Sequence, residues 1–145
     1  MRDWIVRAAL TRLRARLSLF AQSTMIKGIK FTAIPTADQD RALRFWTDKM
    51  GFVVHTDQPF NEQQRWIELR IKGADTHLVL FTTDADKGRI GQFQSISFVC
   101  DSVEKTYDEL VAAGVEFTAA PKKEEWGTSA IFKDADGNSF VLSSR

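Results

Sequence analysis

Two stretches of the chain share one layout at an offset of 63 residues. Asp38 precedes a run whose apolar residues, Ala42, Leu43, Phe45, Trp46 and Met50, fall at helical spacing and stop at Gly51. Asp101 precedes Val103, Tyr107 and Leu110, and that run stops at Gly114. Aspartate caps a helix start by accepting from free backbone N–H groups, and glycine ends a helix by taking a positive φ. Short β-rich segments surround both runs in the same order. The first half has Ile29–Ile34, closed by Pro35, then a segment opening at Phe52-Val53-Val54, then Trp66–Ile71 and His77–Phe81. The second half has Ser95–Cys100, Val115–Phe117, Trp126–Phe132 and Ser139–Ser143. Trp66 to Ile71 alternates in the manner of a half-buried strand. Each half, about 26–85 and 92–144, therefore reads strand–helix–strand–strand–strand. One such unit alone cannot cover both its sheet and its helix, so the two are expected to pair into one α+β domain.

The 145 residues, 43% apolar and 27% charged, suit one globular domain and exclude a disordered or collagen-like chain. No apolar run approaches the roughly 18 residues of a membrane span. The net charge of +1 conceals two unlike parts. Residues 1–24 hold Arg2, Arg7, Arg12, Arg14 and Arg16 against Asp3 alone, and the remainder is mildly acidic. An acidic body argues against a nucleic-acid partner, which needs clustered Lys and Arg. With Cys100 the only cysteine, no intrachain disulfide can form, and a reducing compartment, the cytoplasm, is expected.

Within residues 1–24, Val6, Leu10, Leu13, Leu17 and Phe20 fall on one helical face, with Arg7 and Arg14 on one side of it and Arg12 and Arg16 on the other. The arginines interrupt the continuous apolar segment a secretory signal needs. Three readings stay open: an upstream extension to a domain beginning at Met25, a helix that lies on a membrane surface or partner, and a mitochondrial-type targeting segment.

Three second-half segments, Phe98-Val-Cys-Asp-Ser-Val103, Ala113-Gly-Val-Glu-Phe117 and Trp126-Gly-Thr-Ser-Ala-Ile-Phe-Lys-Asp-Ala-Asp-Gly-Asn138, resemble the vicinal oxygen chelate superfamily, the glyoxalase, bleomycin-resistance and extradiol-dioxygenase group. Asp38-Gln-Asp-Arg-Ala-Leu-Arg-Phe-Trp46 with Lys49-Met-Gly-Phe52 resembles its first module. The resemblance covers residues 26–144, with Ala135 replacing the usual proline of the terminal turn. It implies paired βαβββ modules whose curled sheets cup a cleft, and commonly a homodimer. Metal-dependent relatives bind one divalent ion with four side chains, usually His and Glu. Carried over by spacing to the helix cap and the terminal turn, those positions hold Phe31, Val79, Ser95 and Val141. Phe and Val cannot coordinate, and neutral Ser binds weakly alone. Neither a metal nor any other cofactor is therefore expected.

If those four positions face the cleft, strand alternation adds Ala33, His77, Phe81, Ser97 and the flanking Ser139 and Ser143, and sends Leu78, Leu80, Ile96, Phe98, Phe140 and Leu142 to the core. On the third strand Trp66, Glu68 and Arg70 face the cleft, and Ile67, Leu69 and Ile71 the core. Trp126 takes a rim position. An aromatic lining of Phe31, Trp66, Phe81 and Trp126 with polar Glu68, Arg70, His77, Ser95 and Ser97 suits a small aromatic or amphipathic molecule. Each residue also has a structural reading: the tryptophans as packing, Glu68 with Arg70 as a solvated ion pair, His77 as a satisfied histidine, the serines as small spacers. Cys100 falls on the core side as a structural thiol. Lys122-Lys123-Glu124-Glu125 reads as a solvated loop, and Asp134 and Asp136 as turn formers. Three functions stay open: sequestration or sensing of a small molecule, as in bleomycin-resistance-type relatives; catalysis, either as a metal-free isomerase or lyase using Glu68 or His77 as base with Arg70 steadying an anion, or as a lyase or dioxygenase holding a metal through unconventional ligands; or a structural or regulatory dimer whose cleft is vestigial.

Overall fold

The computed structural model describes residues 2–22 and 25–145. After a helix α1 (Arg2–Gln22), two units follow in the expected order. The first contains β1 (Phe31–Ile34), α2 (Gln39–Arg44) continued by a π-helical turn (Phe45–Lys49), β2 (Val53–Pro59), β3 (Arg65–Arg70) and β4 (His77–Leu80). A 3-10 turn (Asp84–Arg89) leads to β5 (Phe93–Cys100), α3 (Val103–Ala112), β6 (Glu116–Glu124), β7 (Gly127–Lys133) and β8 (Ser139–Ser144).

The two sheets have equivalent strand orders, β1-β4-β3-β2 and β5-β8-β7-β6, each with one parallel pair and two antiparallel ones. Alternation holds where it was expected. Ile67, Leu69, Leu78, Leu80, Phe140 and Leu142 are buried, and Ile71, Ile96 and Phe98 pack against them. One apolar core serves both units. Trp46 of the first stacks on Phe52 and meets Phe98, Phe132 and Phe140 of the second, with ring centroids 5.3–6.4 Å apart.

Asp38 caps α2 by accepting from the Arg41 backbone N–H. In the second unit the cap is Ser102, not Asp101: its hydroxyl oxygen accepts from the Lys105 backbone N–H. Both helices end at a positive-φ glycine, Gly51 and Gly114. Lys122–Glu124 also depart from expectation, since they extend β6 rather than forming a loop, with Lys122 and Glu124 paired at 3.1 Å.

The terminal turn ties the halves together. Asn138, fully buried, donates from Nδ2 to the Pro35 carbonyl at 2.8 Å and accepts at Oδ1 from Gly91 N–H at 2.7 Å. The Asp136 Oδ1 accepts from the Ala37 N–H and from Arg41 Nη2. On helix α1, Trp4, Ile5, Val6, Leu10 and Leu13 are exposed. The side chains of Arg16, Leu17 and Phe20, which the apolar-stripe reading includes, lie outside the described residues. Among the described residues no helix is long and apolar enough to cross a membrane.

Candidate functional site

The face of the first sheet that points away from α2 gathers most of the expected residues. Parallel pairing sets Phe31 beside His77 and Ala33 beside Val79, and the β3–β4 ladder sets Glu68 beside Val79. Because neighbours in register point the same way, Phe31, Trp66, Glu68, His77 and Phe81 crowd one surface. Trp66 meets Phe31 edge-on at 5.3 Å and lies 5.4 Å from Phe81. Phe60, from the β2–β3 connection, closes the series at 4.8 Å from Phe81 and 6.1 Å from Trp66. Val79, fully buried, forms the floor of this face.

Beside the rings lies a hydrogen-bonded acid–imidazole pair. Glu68 Oε1 and His77 Nδ1 are 2.8 Å apart, and Trp66 Nε1–H donates to Glu68 Oε2 at 3.4 Å. The two side chains are 10% and 19% exposed, so neither oxygen relies on water alone. Burial by itself would push the Glu68 carboxyl up. The hydrogen bonds from His77 and Trp66, together with the charges of His77 and His55, outweigh it and hold the group below the ordinary carboxylate range. The His55 ring lies 4.8 Å from that of His77. Sequence reasoning missed this neighbour because alternation fails there. Val54 pairs with Leu69 and Thr56 with Glu68, leaving His55 as the extra residue of a β-bulge. Phe60 was missed because loop residues carry no periodicity to read. The sequence offers only a large aromatic between two short strands as its signal.

The remaining expected residues make no hydrogen bond or ring contact with this cluster among the described residues. Arg70 is exposed at the end of β3, and Glu68 pairs with His77 rather than with it. On the second sheet Ser97 and Ser143 share a hydrogen bond of 2.9 Å, and Val141 lies in register with Ser97. Ser95 sits in an irregularity of β5, at φ +52°, and is exposed. Trp126 is 67% exposed in the β6–β7 turn. No hydrogen bond or ring contact among the described residues joins this second set to the first. Cys100 is half-buried, and its thiol donates to the Ser143 carbonyl at 3.7 Å. A separate apolar groove of about 500 Å³ runs between the units on the core side, bordered by Thr32, Phe52, Ile71, Ile96, Phe98 and Cys100.

The residues present do not fit the metal centre of metal-dependent relatives. Phe31, Val79 and Val141 offer no donor atom, and among the described residues no group of three or more His, Cys, Asp or Glu is arranged to hold an ion.

Two sheets of order β1-β4-β3-β2 and β5-β8-β7-β6, each carrying one helix and sharing one core, define the glyoxalase type of fold. The sequence profile of the glyoxalase/bleomycin resistance protein/dioxygenase superfamily matches residues 28–142, and the chain belongs to that superfamily. It is 42% identical over 118 residues to the uncharacterized protein YetH of Bacillus subtilis (strain 168), covering 81% of this chain and 98% of that one. The crystal structure of TnmS3, an antibiotic binding protein from Streptomyces sp. CB03234, superposes with a TM-score of 0.75 at 31% identity, over 83% of this chain and 98% of that one. A superfamily member from Sphaerobacter thermophilus DSM 20745 superposes with a TM-score of 0.76 at 29% identity, over 84% and 100% of the two chains.

Proposed function

We propose that this chain binds a small aromatic or amphipathic molecule against the ring-lined face of the first sheet, holding it without transforming it. The observation that carries this reading is the unbroken series Phe31–Trp66–Phe81–Phe60 beside a hydrogen-bonded Glu68–His77 pair. Flat apolar surface supplies affinity, and one polar group fixes orientation. The antibiotic-binding description of TnmS3 supports the same class of role. The exposed apolar residues Phe31, Phe93 and Val99 suit a homodimer in which a second copy walls the face. The lone Cys100 suits the cytoplasm.

A panel of planar aromatics, followed by tryptophan fluorescence, tests the reading. Binding is expected to quench emission, and Trp66→Ala is expected to weaken it about tenfold or more. A panel that shifts neither fluorescence nor melting temperature overturns it.

The Glu68–His77 hydrogen bond favours a second reading. An imidazole oriented by a carboxylate is a general base, so the face could serve a metal-free lyase or isomerase. Chromatography of each bound panel member after prolonged incubation distinguishes the two: unchanged ligand supports binding, and a product abolished by His77→Ala supports catalysis.

A further inference from the structure

The hydrogen bonds of the acid–imidazole pair fix which kind of group it can receive. Both Glu68 oxygens are engaged, Oε1 with His77 Nδ1 and Oε2 with the Trp66 indole. An ionised carboxylate only accepts, so Nδ1 must carry the proton of their shared hydrogen bond. In the neutral ring the other nitrogen, Nε2, is then an acceptor. No described residue donates to Nε2, and it is not among the buried polar atoms left without a partner, so the nitrogen is open to solvent. Around the His77 ring lie Phe31, its partner in register, the Glu68 carboxylate and the His55 imidazole, with Trp66 edge-on to Phe31. The exposed guanidinium of Arg70 lies two residues along β3 on the same face. An anionic ligand group at Nε2 would meet the Glu68 charge immediately behind the ring. A neutral O–H on an aromatic ring meets an acceptor at Nε2 and apolar surface for its carbon skeleton.

Resting on the binding reading above, we propose that the ligand is a hydroxyaromatic, a planar ring system whose phenol-type O–H donates to His77 Nε2 while its face packs against Trp66 and Phe31. Hydroxyl recognition of this kind is selective in one direction. An O-methylated analogue keeps the ring and its apolar area but brings a second acceptor to an acceptor, leaving Nε2 unmatched.

Isothermal titration of the full chain near pH 8, where free imidazole is neutral, with 2-naphthol and with 2-methoxynaphthalene tests the proposal. The naphthol is expected to bind about tenfold tighter or more. In His77→Phe, checked for folding by circular dichroism, both compounds are expected to bind and the preference to vanish. Equal affinities of the two compounds for the unaltered chain overturn the hydroxyl assignment and leave the aromatic site standing. Binding of neither compound overturns both. The comparison within the unaltered chain decides the proposal even where the variant fails to fold.

Discussion

At the scale of single residues, two carboxylates respond to pH in opposite directions. Asp134 lies in the terminal turn, where Oδ1 accepts from the Asp136 and Asn138 backbone N–H groups and Oδ2 from Asn138 Nδ2. Burial pushes its pKa up to about 6 against the pull of those bonds, and the Asp136 charge adds to the rise. A raised carboxyl stabilises the folded chain fully below its ordinary value, and that contribution is lost as pH rises through about 6. Glu68 is lowered, so its contribution is present above its ordinary value and is lost as pH falls through the lowered one. Between pH 7.5 and 5 the folded chain takes up a proton at Asp134 that the unfolded chain does not. Unfolding free energy is expected to rise by about 1 kcal/mol over that interval relative to Asp134→Asn. Urea titrations of both proteins at the two pH values check this, and a pH-independent difference between them refutes it.

At the scale of elements, the repeat is less symmetric than its spacing suggests. Gly114 follows the Ser102 cap by twelve positions, whereas Gly51 follows Asp38 by thirteen. The added residue is absorbed in the π-helical turn Phe45–Lys49. At the end of α3, Val115 N–H reaches the Leu110 carbonyl and Gly114 N–H the Val111 carbonyl, the ordinary glycine-terminated pattern. At the end of α2 both bonds are one residue longer, Phe52 to Trp46 and Gly51 to Thr47. Deleting exposed Asp48 is therefore expected to give a regular helix end at a cost of about 1 kcal/mol or less. Deleting Asp108 from α3 turns Leu110 away from the core and is expected to cost about 3 kcal/mol or more. Urea unfolding of the two deletants makes the comparison. Element order and the core faces of β3, β4, β5 and β8 were legible because periods of 2 and 3.6 leave a mark on composition. The cap at Ser102, the π turn and the His55 bulge were not. Each inserts or shifts one residue, which hydrogen-bond geometry decides and hydrophobic spacing does not record. Trp66, Glu68 and His77 were read correctly onto one face, while their partnership needed the strand register.

At the scale of the whole molecule, the second unit completes the first. Asn138 supplies the donor for Pro35 and the acceptor for Gly91, and Asp136 receives Ala37 and Arg41. Asn138→Ala leaves the Pro35 carbonyl and one Asp134 oxygen without these partners in a buried setting, and removes the acceptor of the exposed Gly91 N–H. At about 1–3 kcal/mol for each of the two buried groups, the loss is expected to reach at least about 2 kcal/mol. Lys122→Ala, at an exposed ion pair, is expected to change stability by about 0.5 kcal/mol or less. Thermal melts compare the two, and equal melting temperatures refute the interlock. The same bonds bear on how the chain is made. The Pro35 carbonyl and its partner amide lie 103 residues apart in the chain. At roughly 5–20 residues per second, the first unit waits about 5–20 s on the ribosome before its donor is synthesised. Through that interval its nascent sheet also lacks Phe98, Phe132 and Phe140 against Trp46, so the apolar face of the first half stays uncovered until the second half is made.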